Sequence, residues 1–252
     1  MGALTYWIAG LFMPLFPLSM AFNALFGRVR SATVRIILLL IWPQIGLTLV
    51  LAVNRPIPHW CVLLALFTSA LYAFRAIGLR EVGQWIGYLA TSAWALLWVA
   101  LVVHTDPSTV RLYAFAFSLP LMLLALLGAR LEERFGAAYT GLYGGLSQAL
   151  PRMSGVLVGV ILAIVAAPLF PTFFAMLATV AATTPTMPAT ALTVAGVWLL
   201  WSWAGVRLLQ GLIVGPGNGT KVPDLSLAAT WVYTAVLVIM LVGGVLLTGD
   251  LI

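Results

Sequence analysis

Charge is the scarcest feature of this sequence. Asp, Glu, Lys and Arg make up 7% of its 252 residues, and hydrophobic residues make up 63%. A soluble domain carries roughly 25% charged residues. There is too little charge here to coat a water-facing surface, so lipid is the implied solvent. Cysteine is nearly absent. The single Cys61 excludes an internal disulfide and a cysteine-based metal site. Six Asp or Glu and two His are scattered along the chain, with no metal-ligand spacing among them. There is no Walker loop, no Gly-rich dinucleotide turn and no nucleophile elbow. We therefore expect no metal, no cofactor and no catalytic activity of the chain's own. The net charge of +6 is not a nucleic-acid signal, because the basic residues stand singly between apolar runs, as membrane-orientation charges do. The first of them is Arg28, so the N-terminus lacks the basic start of a signal peptide and reads as a retained helix.

What the sequence does hold is eight apolar runs, at about 4–26, 34–53, 60–79, 82–103, 110–129, 153–182, 189–214 and 227–247. Each is long enough to cross a hydrocarbon core of about 30 Å. The expected fold is an all-α membrane bundle of about eight transmembrane helices. It forms one transmembrane domain over 1–252, with an N-terminal pair (1–55) and a six-helix part (56–252). Pro14 and Pro17 are expected to kink the first run. The sixth run is different, because Pro168 and Pro171 fall at its centre. A proline inside a helix removes a hydrogen bond and frees a carbonyl. In lipid such a break survives only where protein or trapped water satisfies the freed groups. A broken helix at mid-membrane depth is a usual place for an ion path.

Ten basic residues (Arg28, Arg30, Arg35, Arg75, Arg80, Arg130, Arg134, Arg152, Arg207 and Lys221) fall at the loops after the odd-numbered runs. Arg55 and Arg111 fall on the other side. This asymmetry predicts an inner, plasma-membrane protein of bacterial type with both termini outside. The segment 130–152 is the most polar connection, and it is expected to be an interfacial loop or short helix. Its Arg130, Glu132, Glu133, Arg134 and Arg152 are the first choice for a docking surface. Arg75 and Arg207 lie one to two turns from that same side. They read as snorkelling cations, with a role in an ion path or gate as the alternative. Glu81 beside Arg80 reads as a surface pair, with proton carriage as the alternative. His59 and His104 read as solvated turn residues, and Asp106 before Pro107 as a helix cap. Gly155 and Gly159 form a small-xxx-small pair that lets another helix approach. Trp198, Trp201 and Trp203 sit deep in the seventh run and either fill the interior or face lipid. Asn218-Gly219-Thr220 matches a glycosylation sequon, but it lies on the side assigned to the cytoplasm and is discounted.

Several motifs together carry a family resemblance. They are Leu127-Gly128 through Arg134-Phe135-Gly136, Gly144-Gly145-Leu146, and Leu150-Pro151-Arg152-Met153. To these add Ala167-Pro168-Leu169-Phe170-Pro171-Thr172-Phe173, then Val206-Arg207 to Gly215-Pro216, and Val222-Pro223-Asp224-Leu225-Ser226. With these, residues 60–245 resemble the antiporter-like, proton-pumping membrane subunits of respiratory complex I and of Mrp-type cation antiporters. The segment 1–55 is similar in pattern only. The resemblance implies a chain that keeps that family's first helix pair and last six helices. It also implies a line of Lys, Glu and His residues through the membrane, and there this sequence departs. The family's Lys falls on Gly83, its His on Ala93, and its Glu or Lys at the break on Met176.

A proton relay needs titratable groups or water within hydrogen-bond reach. No run holds such a group at its middle. The leading expectation is an auxiliary or structural subunit of a larger membrane complex, embedded in the bilayer among partner subunits. Its parent would be complex-I-like, Mrp-like or of the inorganic-carbon-uptake type. The alternative is a subunit conducting H⁺ or Na⁺ through the broken sixth helix, with Thr172 beside the break. An intramembrane enzyme is the weakest reading, because no acid, base or metal constellation is visible.

Overall fold

The computed structural model describes residues 2–53, 55–104, 106–141, 145–215 and 222–248. Gly144, Pro216, the sequon 218–220 and Lys221 lie outside the described residues. Eleven helices are present among those described. They are α1 (Gly2–Phe12), α2 (Ser19–Arg28), α3 (Ala32–Val53), α4 (His59–Ala76), α5 (Val82–Val103), α6 (Pro107–Phe135), α7 (Leu146–Ala149), α8 (Pro151–Ile164), α9 (Pro171–Thr183), α10 (Pro188–Ile213) and α11 (Leu227–Thr248). Six of them are long and apolar enough to cross a membrane unbroken. The shorter apolar helices α8 and α9 are the two halves of the sixth run, and α1 and α2 the two halves of the first, consistent with the expected all-α membrane bundle.

Helix α5 is the axis of the bundle. It packs on α4, α6 and α2, while α4 also meets α10, α3 lies between α1 and α6, and α11 rests on α8 and α9. The sequence of α5 explains its position. Gly83, Gly87, Ala90 and Ala93 let neighbours approach, while Trp85, Trp94 and Trp98 fill the space between them, all three fully buried. A helix apolar on every face belongs inside. By contrast only 11% of the α11 span is buried, against 78% for α5.

Two boundaries differ from the sequence expectation. The first run is not a kinked helix but two helices separated by 13–18. Pro14 and Pro17 both lack an N–H and lie three residues apart, so a full turn loses its ladder. The fifth helix does not stop at the charges near 130. It runs on to Phe135, because Glu and Arg are good helix formers, and it ends at Gly136 in the left-handed conformation (φ 78°). Arg130 to Arg134 are therefore helical. The connection after them lies alongside the turn between α4 and α5. Val82 donates to the Ala138 carbonyl (3.0 Å), and Thr140 donates to the Arg80 carbonyl (2.7 Å).

Candidate functional site at the broken helices

Helix α8 stops at Ile164, the residue whose carbonyl the Pro168 ring would strike in a continued helix. The chain then passes through two non-glycine residues in the left-handed region, Ala166 (φ 57°) and Leu169 (φ 77°), before Pro171 opens α9. The carbonyls freed by the break are taken up by side chains. The Thr172 hydroxyl donates to the Ala163 carbonyl. The Trp198 indole N–H of α10 is shared between the carbonyls of Val165 (3.1 Å) and Ala166 (3.2 Å). Gly244 of α11 lies so close that a Cβ there would sit 2.2 Å from the Leu169 carbonyl oxygen. On the remaining side an apolar groove of about 600 Å³ opens between the break and α10, lined by Pro168, Phe173, Trp198 and Leu199 among others.

The bundle interior beside the break is neutral. Ala93 and Met176, two of the positions where the resemblance would place charge, are buried there, while the third, Gly83, is buried at the arginine-rich end beside Arg35 and Glu81. Ala93, Phe117, Ile164 and Trp201 surround a void of about 10 Å³, at or below the volume that holds one water molecule. The buried polar groups nearby are hydroxyls and indoles that bond one another. Trp201 donates to the Ser92 hydroxyl (2.8 Å), and the Ser92 and Ser69 hydroxyls lie 3.1 Å apart, each also donating to the other residue's carbonyl (2.8 Å). Trp94 donates to the Ser118 hydroxyl (3.1 Å), and the Asn23 amide donates to the Thr91 hydroxyl (2.8 Å). The three tryptophans of the seventh run separate by depth. Trp201 fills the interior, Trp198 caps the break, and Trp203 is 59% exposed on the outer surface.

The ionisable candidates all gather at one end of the bundle. Arg75 is exposed, with its guanidinium 5.4 Å from the centre of the Tyr88 ring. Arg207 is exposed on α10. Glu81 does not pair with Arg80. Its carboxylate and the Arg35 guanidinium lie within 3.4 and 3.3 Å of one point beside Gly83. Arg35, placed by sequence among the loop charges, is in fact buried. It bonds the Val29 carbonyl (2.8 Å) and pairs with Glu132 (3.2 Å). Arg134 reaches the Met153 sulfur and the Asp224 carbonyl. Arg152 donates from its backbone to the Asp224 carboxylate (2.9 Å), which also accepts from Met153 N–H (3.2 Å) and so caps α8 across 71 residues of chain. Of the five docking candidates, only Arg130 and Glu133 have no bond beyond their own exposed i,i+3 pair (3.0 Å).

At the opposite end, Asp106 caps α6 by accepting from the N–H groups of Ser108 and Thr109. These bonds and both hydroxyls hold its carboxyl down at about 2. His104 is half-buried against Tyr113 rather than solvated, and burial lowers its basicity. Gly159 receives Leu237 of α11, whereas Gly155 has open space beside it.

The site that sequence reasoning missed is the first break. Its signal was an internal repeat, since Pro-Leu-Phe-Pro occurs at both 14–17 and 168–171. The two breaks are supported alike. Trp98 donates to the Met13 carbonyl (3.0 Å), as Trp198 does to Val165. The Thr68 hydroxyl accepts from Phe16 N–H (2.9 Å). Gly46 of α3 lies against Met13 as Gly244 lies against Leu169.

No family model and no curated protein matches the chain. Solved structures do. A chain of respiratory complex I from Thermus thermophilus superposes with a TM-score of 0.82 over 96% of this chain, at 20% identity. A chain of the Mrp complex from Dietzia sp. DQ12-45-1b gives 0.80 over 99%, at 16% identity. A chain of the membrane-bound sulfane sulfur reductase, an archaeal respiratory membrane complex, gives 0.83 over 96%, at 17% identity. This chain spans about half the length of each, 53%, 56% and 52% respectively. The fold expected from the resemblance is therefore the fold observed.

Proposed function

We propose that this chain is a membrane subunit of a multisubunit ion-motive complex, in which it supplies packed helices to partner subunits and has no proton path of its own. The observation that carries the reading is the interior beside α9. Ala93 and Met176 are buried there without charge, and Ala93 borders a void of only about 10 Å³. Proton transfer across a membrane requires titratable groups or a water file in hydrogen-bond sequence. Serine, threonine and tryptophan paired with one another provide neither. The three structural neighbours are chains of respiratory or Mrp complexes, and this supports a partnered rather than solitary existence. Complex-I-like, Mrp-like and inorganic-carbon-uptake assemblies are the candidate parents. The arginine asymmetry supports a bacterial plasma membrane with both termini outside, testable by labelling cysteines placed at either end.

The deciding experiment reconstitutes the purified chain in vesicles and follows a pH-sensitive dye under a K⁺ diffusion potential. No flux above empty vesicles is expected, together with stoichiometric co-purification of another membrane subunit in mild detergent. Robust H⁺ or Na⁺ flux from the chain alone overturns the reading.

A second reading rests on the groove of about 600 Å³ at the second break. There a partner subunit would supply the missing acids against the broken backbone, with the buried Thr172 hydroxyl behind it on the Ala163 carbonyl. It predicts flux in the assembled complex that Thr172→Val removes.

A further inference from the structure

A cleft of about 850 Å³ lies away from both breaks, at the arginine-rich end, between the turn joining α4 to α5, the segment 139–141 and the last turns of α10. Arg80, from the turn, and Arg207, from α10, both line it, together with Tyr139 and Gln210. No carboxylate lines it. The nearest in sequence, Glu81, is turned toward Arg35 and Gly83. Neither guanidinium has a hydrogen-bond or ion-pair partner among the described residues. Two unpaired cations facing one cavity repel each other, and the arrangement is stable only with an anion between them or with full hydration.

The walls are fixed by backbone bonds rather than by the cleft's contents. Thr140 N–H bonds the Arg80 carbonyl (2.7 Å), and Gly141 N–H bonds the Gly211 carbonyl (2.9 Å). A Cβ on Gly211 would come within 2.7 Å of Thr140, so α10 and this segment are in close contact. Arg207 lies six residues before the end of α10, roughly 9 Å along the helix axis. Ile77 and Leu79 add apolar surface to the same cleft. A guanidinium pair offers paired N–H donors matched to phosphate oxygens.

We propose that this cleft binds a phosphate group, held between Arg80 and Arg207. Two sources share that chemistry, an anionic phospholipid headgroup and free inorganic phosphate. The inference does not depend on whether the chain conducts protons.

The test uses the full 252-residue chain, delipidated in a neutral detergent, with native mass spectrometry and titration as readouts. The probes are phosphatidylglycerol, phosphatidylcholine and inorganic phosphate. Wild type is expected to retain phosphatidylglycerol in preference to phosphatidylcholine. The double variant Arg80→Gln/Arg207→Gln is expected to bind it roughly 10-fold or more weakly, and Arg80→Lys/Arg207→Lys to keep part of the affinity. The control Arg55→Gln/Arg111→Gln, at the other end of the bundle, is expected to bind as wild type. Competition by inorganic phosphate alone identifies the free anion as the ligand, and its failure to compete identifies the headgroup. The proposal is overturned if the double glutamine variant, with an unchanged unfolding midpoint, binds phosphatidylglycerol as wild type does. It is also overturned if the lysine pair binds as well as wild type while the Arg55/Arg111 control loses as much as the glutamine pair.

Discussion

The same four residues, Pro-Leu-Phe-Pro, break the helix at 14–17 and at 168–171, yet the two breaks differ in what surrounds them. At the first, Pro14 and Leu15 are buried and Pro17 is exposed, and the buried half of the turn meets α3, α4 and α5 through Gly46, Thr68 and Trp98. At the second the order is reversed: Pro168 is exposed, Leu169 is 55% exposed, Phe170 and Pro171 are buried, and a groove lies alongside the exposed half. The second also holds two left-handed non-glycine residues that the first lacks. A tetrapeptide thus dictates that the helix stops. Which of its residues become core and which face outward is decided by the helices that arrive against it.

The largest effect that would test this contrast is Leu15→Ala set against Leu169→Ala. The buried leucine leaves a cavity, and its loss is expected to cost about 2–4 kcal/mol. The exposed one is expected to cost about 0.5 kcal/mol or less. Both are read from unfolding midpoints in detergent, and equal costs would erase the distinction between the breaks.

Next come the glycines that press on each break. Gly244→Ala would meet three backbone atoms at 3.0 Å or closer, while Gly46→Ala meets a flexible methionine side chain and one backbone nitrogen. Each is expected to destabilise by about 1–3 kcal/mol, with Gly244→Ala the worse of the two. Gly243→Ala, with open space around it, is expected to be neutral. Thermal unfolding of the three variants side by side gives the ranking.

The indole donors should separate the breaks further. Trp98→Phe leaves the Met13 carbonyl unpaired in a sealed core and is expected to cost about 1–3 kcal/mol. Trp198→Phe exposes its carbonyls toward the groove, where a replacement partner can enter, so a smaller loss is expected. A smaller effect, opposite in sign, is expected from Leu169→Gly. Relief of the left-handed backbone is worth about 1 kcal/mol, and the lost side chain was half exposed.

The smallest effect is a baseline far from both breaks. The folded value of Asp106, about 2, lies below its ordinary 3.8. Its capping contribution is therefore fully present above pH ~4 and is lost as pH falls through 2. Asp106→Asn should keep the cap and remove that pH dependence, measured as the change in unfolding midpoint between pH 5 and pH 2. The breaks themselves hold no titratable group and should not contribute.

Much of this was readable in the chain. The eight crossings follow from apolar run length, the second break from Pro168 and Pro171, and the α6 cap from Asp106 before Pro107. The repeat that marks the first break was equally present. Arg35 was misplaced for a different reason. One-dimensional reading assigns a charge at a helix end to the surface, whereas the Val29 carbonyl and the Glu132 carboxylate, 97 residues away, make its burial tolerable. The Asp224 cap on α8 is hidden in the same way, because capping residues are recognisable in sequence only when they adjoin the helix they cap.

Sequence alone determined that this is a membrane bundle, how many times it crosses, where two of its helices must stop, and which residue types reach its middle. Those are consequences of local chemistry, namely apolar length, the missing proline N–H and the absence of charge. Tertiary structure alone decided which residues of each stop are buried and which stop borders a groove, that indoles and hydroxyls satisfy the freed carbonyls, and that Arg80 and Arg207 line one cleft. Each of those depends on groups far apart in the chain being brought within a few ångströms. No spacing rule reports such a distance until the helices have packed.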